Sequence, residues 1–138
     1  MNLTSYAQWQ PRDDVGRFIQ AKIEAAVQAG VTDWADRVFE TSQELVPVDT
    51  GELKESGHVE VVQAGKQVFA SITYNAEHAV YVEYGTGIRG AASAGAGDGP
   101  YSPTWPGMAA QPYLRPAFDA HRGEAEGVIT EKIATAIR

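Results

Sequence analysis

Apolar residues recur every three or four positions over residues 13–29, and this spacing predicts one stripe of an amphipathic helix. The stripe consists of Val15, Phe18, Ile19, Ile23, Ala26 and Val27. Gly30 can end this helix, and Thr32 can cap a second one, so the pattern predicts either a helix pair or a single kinked helix. Pro47 ends the helical pattern in both cases.

A short turn and a β-hairpin are predicted next. In "PVDTGELKES" we expect Asp49 to cap a turn together with Glu52, with Gly51 relieving the backbone and Leu53 pointing inward. "HVEVVQ" and "QVFASITY" are rich in β-branched and aromatic residues and flank "AGK", which indicates a hairpin. "AVYVEYGT" is interpreted as extended chain, or as a short turn followed by a strand.

Residues 87–107 form a long segment with few side chains that could pack into a core. Six Gly, four Ala, two Ser and three Pro account for fifteen of its twenty-one residues. Loops longer than about fifteen residues within a compact domain are usually functional or disordered. Tyr101 and Trp105 lie in its distal half, and aromatic residues of this kind often anchor interfaces.

The last part of the chain again has helical spacing, and it completes an α+β fold. Apolar residues fall close to every fourth position, after a helix entry at Pro112 and Pro116; they are Leu114, Phe118, Ala125, Ile129, Ile133 and Ile137. The predicted fold therefore has an N-terminal helix or helix pair, a small antiparallel sheet built on the hairpin, the long loop, and a C-terminal helix packed on the sheet. We expect one domain over residues 1–138, with residues 1–12 as a flexible arm.

Composition narrows the classes of function. Of the 138 residues, 43% are apolar, and eleven basic against eighteen acidic residues give a net charge of −7. Such a balance disfavours binding to nucleic acid, which depends on basic residues neutralising phosphates. The chain has no cysteine, which excludes disulfides and thiolate metal sites. It shows neither a secretory signal nor an apolar run long enough to span a membrane.

The sequence gives only weak evidence for a catalytic or metal-binding site. His58, His78, Asp49 and Glu83 are the residues that a metal site could use, and a small hydrolase built around His78 and Glu83 is one alternative. His78 and Glu83 are five positions apart, which on a strand places them on opposite faces. The chain has no H-E-x-x-H and no phosphate-binding loop. A peptide-binding module that uses the hairpin edge is a further alternative.

Three phrases in a fixed order resemble a known family. "VPVDTGELKES", "YVEYGTG" and "QPYLRPAFD" are together similar to the phage tail-completion and head–tail joining proteins of the gp-ten-like family (HK-ninety-seven type). The resemblance covers the chain from about Leu45 onward. Its matched positions in the turns and helix entries, which it implies serve the fold, are Pro47, Asp49, Thr50, Gly51, Leu53, Gly85, Thr86, Pro112 and Pro116.

This resemblance implies a structural protein of the virion neck, without enzymatic activity or cofactor. It implies a ring, expected to be a hexamer, between the head connector and the tail tube, at the head-proximal end of the tail. The protein would be made in the cytoplasm of the bacterial host. The implied partners are other copies of the chain, connector or adaptor proteins, and tail tube or terminator proteins. DNA would only pass through the bore. A tail terminator or a head–tail adaptor of the same neck is the nearest alternative.

For a neck protein of this kind, seven residues are candidates for the assembly interface: Tyr81, Glu83, Tyr84, Arg89, Tyr101, Trp105 and Arg115. We expect Glu83 to meet an arginine of a neighbouring subunit, because arginine–carboxylate pairs give orientation as well as attraction. The alternative is an exposed strand carboxylate without a partner. Residues 87–107 are expected to dock on an adjacent subunit or neck protein, with a tolerated surface insertion as the alternative.

Overall fold

The computed structural model describes residues 13–86 and 106–138, and its order of elements confirms the α+β prediction. A long helix α1 (Asp13–Leu45) is followed by the single turn α2 (Glu52–Glu55) and by the strands β1 (Gly57–Ala64) and β2 (Gln67–Tyr74). A short helix α3 (Ala79–Tyr84) precedes the loop segment, and α4 (Leu114–His121), a 3₁₀ turn (Arg122–Glu124) and α5 (Ala125–Ala136) follow it. None of the helices within the described ranges is both long and apolar enough to cross a membrane.

Helix α1 is one helix of 33 residues that continues through Gly30, so the predicted helix pair does not form. Gly30 is buried, and a Cβ atom there would lie 2.8 Å from the Cα atom of Ile129 in α5. The glycine therefore allows close approach of two helices instead of ending one. The predicted stop at Pro47 is confirmed, because α1 ends two residues earlier, at Leu45.

The predicted hairpin is confirmed as a two-stranded antiparallel sheet. Val59 pairs with Ile72 and Val61 with Ala70, and these four residues lie on the half-buried face. Gly65, with a φ of 61°, takes the left-handed conformation in the turn. The opposite face carries the cross-strand pair Val62 and Phe69, both of which are exposed. The hairpin therefore uses one face for the core.

The C-terminal segment forms two helices joined by a 3₁₀ turn, and it makes its main contacts with α1. The sequence predicted packing on the sheet, and the main contacts of this segment are with α1. Phe118 packs edge-on against Trp34, with 5.8 Å between ring centroids. The indole N–H of Trp34 donates to the carbonyl of His121 over 2.7 Å, which holds the end of α4 on α1.

Two local predictions are also wrong. Asp49 is exposed and does not cap α2, which has no side-chain cap. Gly51 precedes α2 at a φ of 89°, and the hydroxyl of Thr50 accepts a long 3.4 Å bond from the N–H of Glu52. The segment "AVYVEYGT" is helical at Ala79–Tyr84, not extended.

Gly30 gives a test of the helix contact. Replacing Gly30 with Ala adds a methyl group against the backbone of α5, and we expect overpacking to lower the free energy of unfolding by about 1–3 kcal/mol. Gly16→Ala is the matched control, because Gly16 lies in the same helix with nothing within 4 Å of its added Cβ. That control should be neutral or stabilising by up to about 1 kcal/mol. Urea unfolding measures the free energy of unfolding of both variants. Equal effects at the two positions would contradict the close contact assigned between Gly30 and α5.

Candidate functional site

The three phrases that carry the family resemblance meet in one core. Val46 and Leu53 come from the first phrase, Val82 from the second and Tyr113 from the third, and all four are at most 9% exposed. Ala79 completes this buried cluster, and partly buried side chains pack around it. The phrases are therefore distant in sequence but adjacent in space, and they form the framework beneath the candidate site.

Glu83 caps helix α4 from 30 residues away. Its Oε2 accepts bonds from the backbone N–H groups of Tyr113, at 2.8 Å, and Leu114, at 3.0 Å. Its Oε1 accepts a bond from the N–H of Arg115 at 2.9 Å. The first N–H groups of a helix lack partners within the helix and favour negative charge, so the carboxylate satisfies both needs at once. Glu83 is only 6% exposed, which makes these bonds part of the core.

Tyr113 joins this cap to the sheet and to α3. Its ring packs edge-on against Tyr74 with 4.8 Å between centroids, and its hydroxyl donates to the carbonyl of Ala79 over 3.2 Å. Burial raises the pKa of Tyr113 to about 12, and the charge of Glu83 and the neighbouring Tyr74 act in the same direction. The hydroxyl of Tyr74 in turn lies 2.6 Å from that of Ser42 in α1.

The two ends of the long loop meet beside this cluster. The N–H of Thr86 donates to the carbonyl of Met108 over 2.8 Å, and the N–H of Met108 donates to the Thr86 carbonyl over 3.2 Å. Gly85 has a φ of 74°, and an added Cβ would lie 2.6 Å from the Met108 carbonyl oxygen, so a glycine is needed there. The described residues thus close the base of segment 87–107.

An apolar groove of about 460 Å³ opens next to the loop base. Residues of α1, β2, α3 and α4 line it, among them Trp34, Val38, Ile72, Val80, Tyr84 and Phe118. Three of its side chains are substantially exposed, Val80 at 57%, Tyr84 at 44% and Phe118 at 42%. The guanidinium of Arg115 lies 5.7 Å from the centre of the Tyr84 ring and supplies a positive charge at the rim.

A second exposed apolar surface lies at the start of α1. Val15, Phe18 and Ile19 are 46%, 62% and 46% exposed, although sequence periodicity placed them in the same stripe as buried Ala26. Every residue from 14 to 22 is exposed. We call this exposed stretch, residues 14–22, the overhang.

The structure places four of the seven predicted interface residues around α3 and α4. Tyr81 and Tyr84 are exposed on α3, and Arg115 lies beside Tyr84. The expectation of an exposed strand carboxylate at Glu83 is wrong, because this residue is helical and buried. Its contact with an arginine of another subunit stays a prediction. Arg89, Tyr101 and Trp105 lie outside the described residues, as do residues 1–12.

The residues of the alternative metal site do not converge. His58 and His78 are both exposed, and Glu83 is occupied by the cap. In residues 13–86 and 106–138 no three His, Asp or Glu side chains are grouped so that they could hold a metal ion.

The groove and the overhang were not identified from the sequence. Four separate elements form the groove, so no local pattern marks it. The overhang did give a signal, namely an apolar stripe, but a stripe predicts a buried face without saying what covers it.

Glu83→Gln tests the cap while preserving the shape of the side chain. One amide NH₂ group would face backbone N–H donors, and the charge that favours the helix N-terminus would be lost. We expect the free energy of unfolding to fall by about 2–3 kcal/mol. Glu126→Gln in the first turn of α5 is the control, since Glu126 is exposed and should change stability by less than about 0.5 kcal/mol. Equal effects of the two substitutions would contradict the capping role.

The raised pKa of Tyr113 gives a pH dependence with a defined sign. A folded-state pKa of about 12 against an ordinary value near 10 means that the stabilisation is complete below about pH 10 and is lost as the pH rises towards 12. Tyr113→Phe loses the bond to Ala79, so it should be less stable than the wild type by about 1 kcal/mol at neutral pH. This difference should shrink between about pH 10 and 12.

Urea unfolding at a series of pH values measures that difference. Tyr81→Phe is the control, because Tyr81 is 42% exposed and its variant should keep a constant offset from the wild type. If the free energy of unfolding of Tyr113→Phe also differs from that of the wild type by a constant amount at every pH, the coupling between burial and ionisation is refuted.

A search of curated proteins and a search of solved structures found no match. A family model described as "Bacteriophage HK97-gp10, putative tail-component" matches residues 13–85. The match extends from the start of α1 through the hairpin to Gly85 at the loop base, which is more than half of the chain. The chain therefore belongs to the HK97-gp10-like family of bacteriophage tail components.

Proposed function

We propose that this tail component acts at the phage neck, where it completes the tail or joins it to the head as a ring between the connector and the tail tube. The observation that carries the proposal is the convergence of the three neck-protein phrases into one core that also closes the loop base. The resemblance of those phrases is to tail-completion and head–tail joining proteins. Their residues serve packing, capping and loop closure, which is what a structural subunit requires.

In this proposal the body of the chain presents contact surfaces and performs no catalysis. The groove and the overhang are exposed apolar surfaces in the part of the chain that the structure describes. Exposed apolar patches on soluble proteins commonly mark interaction sites. Copies of the chain, expected to form a hexamer, and the neighbouring proteins of the neck would cover them.

Segment 87–107 has a separate role in the proposal. The residues that flank it, Thr86 and Met108, exchange backbone hydrogen bonds close to α3. We propose that the segment reaches an adjacent subunit or neck protein, with Tyr101 and Trp105 as its contact residues. Tyr81, Tyr84 and Arg115 lie on the body near these flanking residues and belong to the same contact region.

The net charge of −7 fits a wall along which DNA passes. Like charge repels phosphates, so a negative bore would not hold the DNA. Sequence-specific binding to DNA is not part of the proposal.

A phage whose gene for this chain carries an early stop codon tests the proposal. We expect DNA-filled heads and separate tails in electron micrographs, with almost no joined virions. Purified protein added to the lysate should restore joining and plaque formation, which controls for effects on neighbouring genes. Tails of irregular, excessive length would favour the terminator alternative. Normal infectious virions lacking the chain would refute a role in the neck.

A further inference from the structure

The outer edge of β2 carries backbone groups that have no hydrogen-bond partner among the described residues. Asn75, which follows β2, donates its backbone N–H to the carbonyl of Ser56, which precedes β1, over 3.3 Å. Bonded and non-bonded pairs alternate along an antiparallel ladder, so this bond fixes which residues of β2 turn their N–H and C=O groups away from β1. Those outward residues are Val68, Ala70, Ile72 and Tyr74.

This edge also lacks the features that keep sheet edges from pairing. The sequence of β2, Gln67–Tyr74, contains no charged residue, no proline and no glycine. Natural edge strands are commonly short, charged, bulged or covered, because an open edge is a template for another strand. By contrast, β1 carries Glu60 near its centre and begins at Gly57. Of the two hairpin edges, the β2 edge is therefore the one suited to an added strand.

The groove lies along the same edge of the sheet. Ala70, Ile72 and Tyr74 line it, whereas none of the β1 residues, all of which the structure describes, does so. Its other walls come from α1, α3 and α4, so the helices extend past the β2 edge. Residues of an added strand that bond to the outward groups of β2 would face the same side of the sheet as Ala70 and Ile72. Every second side chain of that strand would therefore enter the groove.

We propose that β2 accepts an extended segment of another protein as a third, hydrogen-bonded strand of the sheet. This deepens the proposed function and rests on it for the source of the segment, a neighbouring protein of the neck. The edge itself defines the occupant, since N–H and C=O groups that recur at every second residue are matched by the backbone of an extended chain. The main-chain bonds supply affinity, and the side chains that enter the groove supply specificity.

The groove defines the side chains of the donor segment. Its charged lining residues are Arg115 and Glu83, and the oxygens of Glu83 already accept bonds from the backbone at the start of α4. Alternate residues of the donor should therefore be apolar, and an acidic residue beside Arg115 is favoured over a basic one. The outward residues of β2 span about 20 Å, which a donor of about five to seven residues covers.

The hairpin of a second copy fits this edge less well. Its inward side chains, among them Val59 and Ile72, are already half-buried on the face that contacts α1 of that copy. A donor hairpin would also bring its α1 to the side of the sheet where α3 and α4 of the acceptor lie. The geometry therefore favours a segment that is not packed on a body of its own.

A proline substitution tests the edge by removing one outward N–H group. Ala70→Pro deletes a donor that faces away from β1, and edge strands tolerate proline where the N–H faces solvent. Val61→Pro is the matched control, because Val61 pairs with Ala70 and also turns its N–H outward, but on the β1 edge. Circular dichroism and thermal melting verify that both variants fold.

The readout is the rescue of the stop-codon phage by purified protein added to its lysate. We expect Val61→Pro to restore as many plaques as the wild type. Ala70→Pro should restore at least about tenfold fewer, because the proline ring blocks the pairing strand as well as removing a bond.

Hydrogen exchange of the wild type gives a second measurement that needs no variant. In the isolated chain the amides of Phe69, Ser71 and Thr73 bond to β1 and should exchange slowly, whereas the outward amides of β2 should exchange much faster. In purified virions the peptide that covers β2 should gain protection at about four amides, and the peptide that covers β1 should gain none. Mass spectrometry after quenching counts the protected amides.

Three results would overturn the inference. They are full rescue by Ala70→Pro, equal exchange of β2 in the isolated chain and in virions, and protection of β2 in the concentrated pure chain. The last result would make a second copy the donor of the strand. None of them changes the phenotype of the stop-codon phage itself, so the added strand can be wrong while the role in the neck is right.

Discussion

The buried carboxylate of Glu83 holds together the two parts of the chain that the long loop separates. It lies on α3, before segment 87–107, and accepts three backbone N–H bonds after that segment, from Tyr113 and from the first two residues of α4. Burying a carboxylate is costly unless its oxygens are satisfied, and here the helix N-terminus supplies both hydrogen bonds and a favourable dipole. The position of α4, and through it that of Phe118 and Arg115 at the groove, depends on this contact.

The loop base follows from the same constraint. Once Glu83 fixes α4 against α3, the chain must turn sharply at Gly85, and Thr86 and Met108 come close enough to exchange backbone hydrogen bonds. The closure entropy of a loop grows only slowly with its length, so a segment pinned at its base can be long at little cost to the core. The body and the segment can therefore vary independently in sequence and length. This would suit the proposed role, in which the body takes part in a ring and segment 87–107 meets a different neighbour.

The sequence predicted the elements with strong local periodicity and missed those that depend on distant partners. Helix α1 and the hairpin follow from apolar spacings of about 3.6 and 2 residues, which require no tertiary information. Gly30 was interpreted as a helix stop because its actual role, contact with Ile129, involves a residue 99 positions away. "AVYVEYGT" has β-branched and aromatic residues typical of strands, yet burial of Ala79, Val82 and Glu83 on one face makes it a helix.

The candidate site could also be predicted only in part, because several of its residues depend on partners that are distant in the sequence. Tyr81, Tyr84 and Arg115 were selected on the resemblance, and Tyr84 and Arg115 lie together at the groove. The capping role of Glu83 requires knowing where the N–H groups of α4 lie, which no local pattern gives. For Val15, Phe18 and Ile19, periodicity correctly indicated a helical stripe, but it could not show that these side chains are exposed.

Helix α1 links the two proposed contact surfaces mechanically. Phe18 lies in the overhang and Trp34 in the groove wall, sixteen residues apart on one helix, which corresponds to about 24 Å along its axis. Gly30 lies between them and lets α5 pack closely against this stretch, which braces it. Because α1 is held in this way, it bends little. This one helix would therefore set the distance between the overhang and the groove. In the proposed ring, deviations in this distance would add from subunit to subunit, and a stiff α1 would limit each of them.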